Sequence, residues 1–186
     1  MNRFKLFKII CLVISIAAAC YYPVKKVMQY EFAPGTEFDF KVEGFDPYDP
    51  GRGHFLQLKV YPVKVDNKIT FQYSSQNCYA TVAKDKDGLA TITGFTAVPG
   101  DAPCFKAERP GYFYNGDIPD IYPFRRFYIN EEIASDAERM LEYAADDKKT
   151  CVLRVKLFPD GASAVTGLFI DGKEIRELVR AQKAVK

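Results

Sequence analysis

The sequence predicts a mainly β fold of the α+β class: an N-terminal transmembrane or signal helix, then one antiparallel β domain with one or two short helices. Three observations carry this. Most of the chain after residue 35 consists of short runs in which apolar and polar residues alternate, the period of a half-buried strand. Turn signals such as Asp87-Gly88, Pro159-Asp160-Gly161 and Asp171-Gly172 separate those runs and suit hairpins. Only one clearly helical stretch lies between strands, so parallel crossovers, which need long connections, find no support.

Residues 1–26 form the first element. The opening octapeptide carries Arg3, Lys5 and Lys8, no charge occurs from Ile9 to Val24, and Lys25 and Lys26 close the run. These are the marks of a signal peptide or an uncleaved signal anchor. A spanning helix wants about 20 apolar residues, so the run is short, although Leu6 and Phe7 lengthen it if Lys8 snorkels. Length and position favour an uncleaved anchor. A cleaved signal peptide is the second reading, since Ala17-Ala18-Ala19 offers small residues. Lipidation at Cys20 is the third; Ile16-Ala17-Ala18-Ala19 resembles a lipobox whose bulky residue sits one place too far upstream. Cys11 and Cys20 also fit simply as small apolar residues of a membrane helix. An anchored chain would contact the lipid bilayer, keep its basic end in the cytoplasm and carry the rest outside. The flanking lysine pair makes that charge bias less one-sided.

Residues 27–35 read as a connector ending at Pro34-Gly35, and residues 36–186 as the domain. Phe38, Phe40 and Val42 alternate with charged residues and predict a strand over 36–43. Asp-Pro-Tyr-Asp-Pro-Gly-Arg-Gly (46–53) must be an irregular loop. Leu56, Leu58 and Val60 predict a strand over 54–61, and the parity shift to Val63 and Val65 predicts a bulge or strand end at Pro62. Further strands are expected at Ile69–Tyr73, Cys78–Lys84 and Leu89–Val98, the last two joined by a turn at Asp85-Lys86-Asp87-Gly88. Residues 99–123 read as loop with short strands. From Glu131 to Ala145 the period changes: Ile133, Ala137, Met140, Leu141 and Ala144 share one helical face, Asn130 is placed as N-cap, and Glu131 and Glu132 suit the positive helix end. Strands are expected over 151–157, with Cys151, Leu153, Val155 and Leu157 on one face, and over 162–170. Ile175, Leu178 and Val179 predict a short terminal helix.

Composition narrows the function classes. Aromatic residues at 15% and charged residues at 27% are globular values. The formal charge of +2 conceals an asymmetry. The five basic residues of 1–26 face no acid there, which leaves 21 basic against 24 acidic side chains, a net of −3, for the remainder. The domain therefore lacks the electrostatic footprint of a nucleic-acid binder.

The run Gly44-Phe45-Asp46-Pro47-Tyr48-Asp49-Pro50-Gly51-Arg52-Gly53-His54-Phe55-Leu56-Gln57-Leu58-Lys59-Val60 resembles the signature of the bacterial family named after its motif GDYXXLXY. Asp46 and Asp49 stand in the Asp-Pro turn, and Arg52 and Gly53 match its Arg-Gly. Leu58 keeps the motif leucine. Phe55 and Val60 replace its two tyrosines, and His54 replaces its aspartate. Arg126-Phe127-Tyr128-Ile129 with Glu131, and Gly167–Lys173, resemble later family segments, so the similarity covers roughly residues 30–175. The resemblance implies a membrane-associated accessory role beside multi-spanning membrane proteins and supplies no reaction. On physical grounds the motif is structural: Gly53 lets a loop enter a strand, Leu58 faces a core, and Arg52 is placed to hold Asp46 or Asp49.

Candidate chemistry is sparse. His54 is the sole histidine, without a Cys or His at ligand spacing, so neither a zinc site nor a Ser-His-Asp arrangement is supported. Asp39, Asp46 and Asp49 make at most a weak case for a hard cation, and no metal or other cofactor is expected. Cys78 and Cys104 are candidates for a disulfide in an oxidising compartment, with Cys151 a buried thiol. The aromatic stretch Tyr112–Tyr128 suits either a binding surface or core packing. The sequence thus leads to a membrane-anchored envelope protein with a non-enzymatic accessory domain, facing outside the cytoplasm and working with a membrane protein. The alternative is a hydrolase, or a small-ligand or metal-binding domain, using the Asp46–His54 loop.

Overall fold

The computed structural model describes residues 3–44, 55–61, 78–108 and 121–184. The chain forms two compact units, Met1–Pro34 and Gly35–Lys186.

The first unit is a single helix, α1, Arg3–Phe32. It runs through Pro23, whose missing N–H removes one rung of the ladder. It also runs through most of the expected connector. Residues 27–32 contain neither Gly nor Pro, so beyond Pro23 the helix meets no further breaker until Pro34-Gly35. Ile10, Leu12, Val13, Ile14, Ile16, Tyr21, Tyr22, Val24, Val27 and Met28 are all exposed. Consecutive residues lie about 100° apart on a helix, so apolar side chains point outward on every side. Among the described residues no helix is long and apolar enough to cross a membrane.

The second unit is mainly antiparallel β, as the alternation predicts. Its elements are β1 (Thr36–Gly44), β2 (Phe55–Val60), β3 (Tyr79–Lys84), β4 (Ala90–Thr96), β5 (Cys104–Lys106), β6 (Arg126–Tyr128), α2 (Glu131–Asp146), β7 (Cys151–Leu157), β8 (Ser163–Ile170), β9 (Lys173–Glu174) and α3 (Ile175–Ala184). The strands make two sheets, in the orders β6-β2-β1-β7-β8-β9 and β4-β3-β5. The expected strand Ile69–Tyr73 and the expected bulge at Pro62 lie outside the described residues.

Alternation decides which face of the large sheet is buried. Phe38 opposes Val155 and Phe40 opposes Leu153, and all four are core residues. The other face is polar, and its charges pair by register: Glu37 opposes Lys156, Asp39 opposes Arg154, and Glu43 opposes Lys59. Opposite charges facing each other across strands stabilise a sheet by roughly 0.2–1 kcal/mol per pair. The Asp39–Arg154 pair is bidentate, at 2.7 and 2.9 Å, and the guanidinium also stacks 4.5 Å from the centre of the Phe169 ring. Hydrogen bonding to Asp39 raises the Arg154 pKa further above its already high value.

The two sheets, α2 and α3 share one core. Phe40 from the large sheet, Phe105 from the small sheet, and Tyr122 and Phe124 from the segment before β6 form an aromatic joint, with ring centres 4.8–6.2 Å apart. This assigns the described end of the aromatic stretch to packing, while Tyr128 is exposed. Ala137, Leu141 and Ala144 of α2, and Ile175 and Val179 of α3, are buried, as their spacing requires. Asn130 caps α2 by accepting from the Glu132 amide at 3.1 Å. Lys183 of α3 donates to the Glu132 carbonyl at 2.6 Å and meets Asp136 at 3.3 Å, tying the two helices together.

The turns follow from composition. Asp85 accepts from the Asp87 and Leu89 amides at 2.9 Å, and Gly88 has φ +80°. Asp171 and Gly172 both have positive φ, which a two-residue hairpin needs. Gly161, with φ +78°, serves the β7–β8 turn and the junction between sheets. Its carbonyl accepts from the Lys106 amide at 2.8 Å, and a Cβ on it would stand 2.5 Å from the Tyr79 ring.

Candidate functional site

The residues that carry the resemblance lead into β2. Asp46, Asp49, Arg52, Gly53 and His54 lie outside the described residues. Of the remainder, Leu58 and Val60 are core residues, opposite Gly44 and Val42 of β1. Phe55 lies on the other face, its ring centre 6.0 Å from that of Tyr128, with the Arg126 guanidinium 5.2 Å away. Every described position of the motif thus serves strand packing.

A groove of about 380 Å³ lies where α2 crosses the ends of β1 and β2, and thus beside the residues that precede and follow the Asp-Pro loop in sequence. It is lined by Gly44, Leu56, Gln57, Glu138, Leu141, Glu142, Ala145 and Asp146. The close crossing depends on Gly44, because a Cβ there would sit 3.2 Å from the Leu141 Cβ. Glu138, Glu142 and Asp146 are spaced by four residues along α2, so they share one helix face and make the wall acidic. The sequence displays that spacing; what it hides is that this face borders β2. A second hollow, of about 250 Å³, lies between α2 and α3 with Met140, Ala144, Ile170 and Leu178 among its lining and Arg139 and Lys149 at its edge. Hydrogen bonding to Asp147 at 2.9 Å raises the Lys149 pKa.

The strand register corrects the disulfide expectation. Thr81 opposes Cys104 and Tyr79 opposes Lys106, while the Cys78 carbonyl accepts from the Ala107 amide. Cys78 therefore lies three residues along from Cys104, about 10 Å, and on the opposite face of the sheet. A disulfide needs Cα atoms within about 7 Å, so the two are not placed to bridge. Cys104 and Cys151 are buried free thiols. Burial pushes the Cys104 thiol above the ordinary value of 9.0, with Asp160 adding to the rise and a backbone hydrogen bond from Gly100 opposing it. Burial likewise raises Cys151, helped by Asp171 and Glu43 and opposed by Lys149. Neither is activated toward nucleophilic chemistry, which needs a lowered pKa. Cys11 and Cys20 are exposed on α1.

Among the described residues no three or more His, Cys, Asp or Glu side chains gather so as to hold a metal ion. Together these features define a class: an α+β domain with two antiparallel sheets sharing an aromatic core, preceded in sequence by a 30-residue helix. The family described as GDYXXLXY protein matches residues 16–168, and the chain belongs to that family. No curated protein and no solved structure matches it.

Proposed function

We propose that this chain is a membrane-anchored envelope protein, held in the bilayer by α1, whose α+β domain works outside the cytoplasm as a non-enzymatic accessory to a membrane protein. The observation that carries the reading is the apolar surface of α1: Leu12, Val13 and Ile14 are 59–61% exposed on successive sides of the helix. A helix apolar all round requires an apolar surrounding, either a large protein core or lipid. The uncharged stretch from Ile9 to Val24 measures about 24 Å, against about 30 Å of hydrocarbon. The tether therefore relies on Lys8 and Lys25 reaching back to the headgroups and on local thinning of the bilayer, both of which cost little.

The accessory role is supported by what surrounds the motif. Its described residues are packing residues, the outer sheet face pairs its charges in register, and burial raises the pKa of the Cys104 and Cys151 thiols. The test is fractionation of cells making the native chain. The protein should stay in the membrane pellet through an alkaline carbonate wash, leave it only with detergent, and lose its domain to protease added outside the cytoplasmic membrane. A gentle detergent extract should contain a multi-spanning protein that co-purifies with it. Release by carbonate would remove the tether, and repeated recovery of the chain alone would remove the accessory role.

A further inference from the structure

No further inference is drawn: the strongest candidate, the hollow of about 250 Å³ between α2 and α3 floored by Met140, Ala144, Ile170 and Leu178, carries nothing because nothing in the structure shows what covers it.

Discussion

Replacing Gly161 by alanine tests how the two sheets are joined. Two costs are expected. The first is conformational, because φ is +78° and an L side chain in that region costs about 1–2 kcal/mol. The second is steric, because the new Cβ would stand 2.5 Å from two carbons of the Tyr79 ring. Forcing an extra methyl into a packed site costs about 1–3 kcal/mol. Together they predict a loss of about 2–5 kcal/mol. Gly88 supplies the control. Its φ is +80°, yet nothing lies within 4 Å of a Cβ placed there. Gly88→Ala should therefore lose only the first cost. Urea denaturation of the full chain in detergent, followed by tyrosine fluorescence, gives both values. The Tyr79→Ala background completes a double-mutant cycle, since Gly161→Ala should then cost no more than Gly88→Ala. Equal losses for Gly161→Ala and Gly88→Ala in the native background would refute the close approach of the β7–β8 turn to β3.

Three further outcomes follow from the domain. Arg176 donates to Glu174 at 2.8 Å and to the Tyr128 carbonyl at 3.2 Å, and its guanidinium lies 4.6 Å from the centre of the Phe127 ring, so it holds β6 from its unpaired side. Arg176→Ala should cost about 1–2 kcal/mol, discounted for partial exposure, and hydrogen exchange should quicken first at Arg126–Tyr128. Because burial raises the Cys104 and Cys151 thiols, the folded state keeps protons there that the unfolded chain has begun to lose; their contribution is complete below pH 9.0 and is lost as pH rises through the raised values. Cys151→Ala should flatten that alkaline decline in a denaturation series, and an unchanged slope would contradict it. Alkylation of the unreduced, denatured chain should label both Cys78 and Cys104, since they lie on opposite faces of one sheet; protection of the pair until reduction would overturn the β3–β5 register.

Much of the architecture was legible because local patterns agreed with the fold. Phe38, Phe40 and Val42 marked the buried face of β1, Asn130 and the 3.6-residue spacing marked α2, and Asp85–Gly88 and Asp171-Gly172 marked turns. What escaped was non-local. Arg126–Tyr128 is too short to show a period, and it is a strand only because Phe55–Gln57 lies beside it. The division into two sheets, and the pairing of β1 with β7 across more than a hundred residues, leave no local trace. The disulfide expectation failed for the same reason, since parity across β3 and β5 decides it and spacing does not. The continuation of α1 to Phe32 was readable, because no Gly or Pro stands between Pro23 and Pro34, but the lysine pair drew the boundary too early. At the site, the motif leucine was correctly placed in the core, while the acidic wall of α2 became visible only once α2 was set across β2.

The tether can be tested with the chain's own cysteines. Cys11 and Cys20 are exposed on α1, whereas Cys104 and Cys151 are buried in the domain. If α1 is held in the bilayer as proposed, a water-soluble, membrane-impermeant maleimide should leave Cys11 and Cys20 unlabelled in intact native membranes, with attachment sites read by mass spectrometry. Rapid labelling of both, with the membranes intact, would mean that water surrounds α1 and that lipid does not hold this protein.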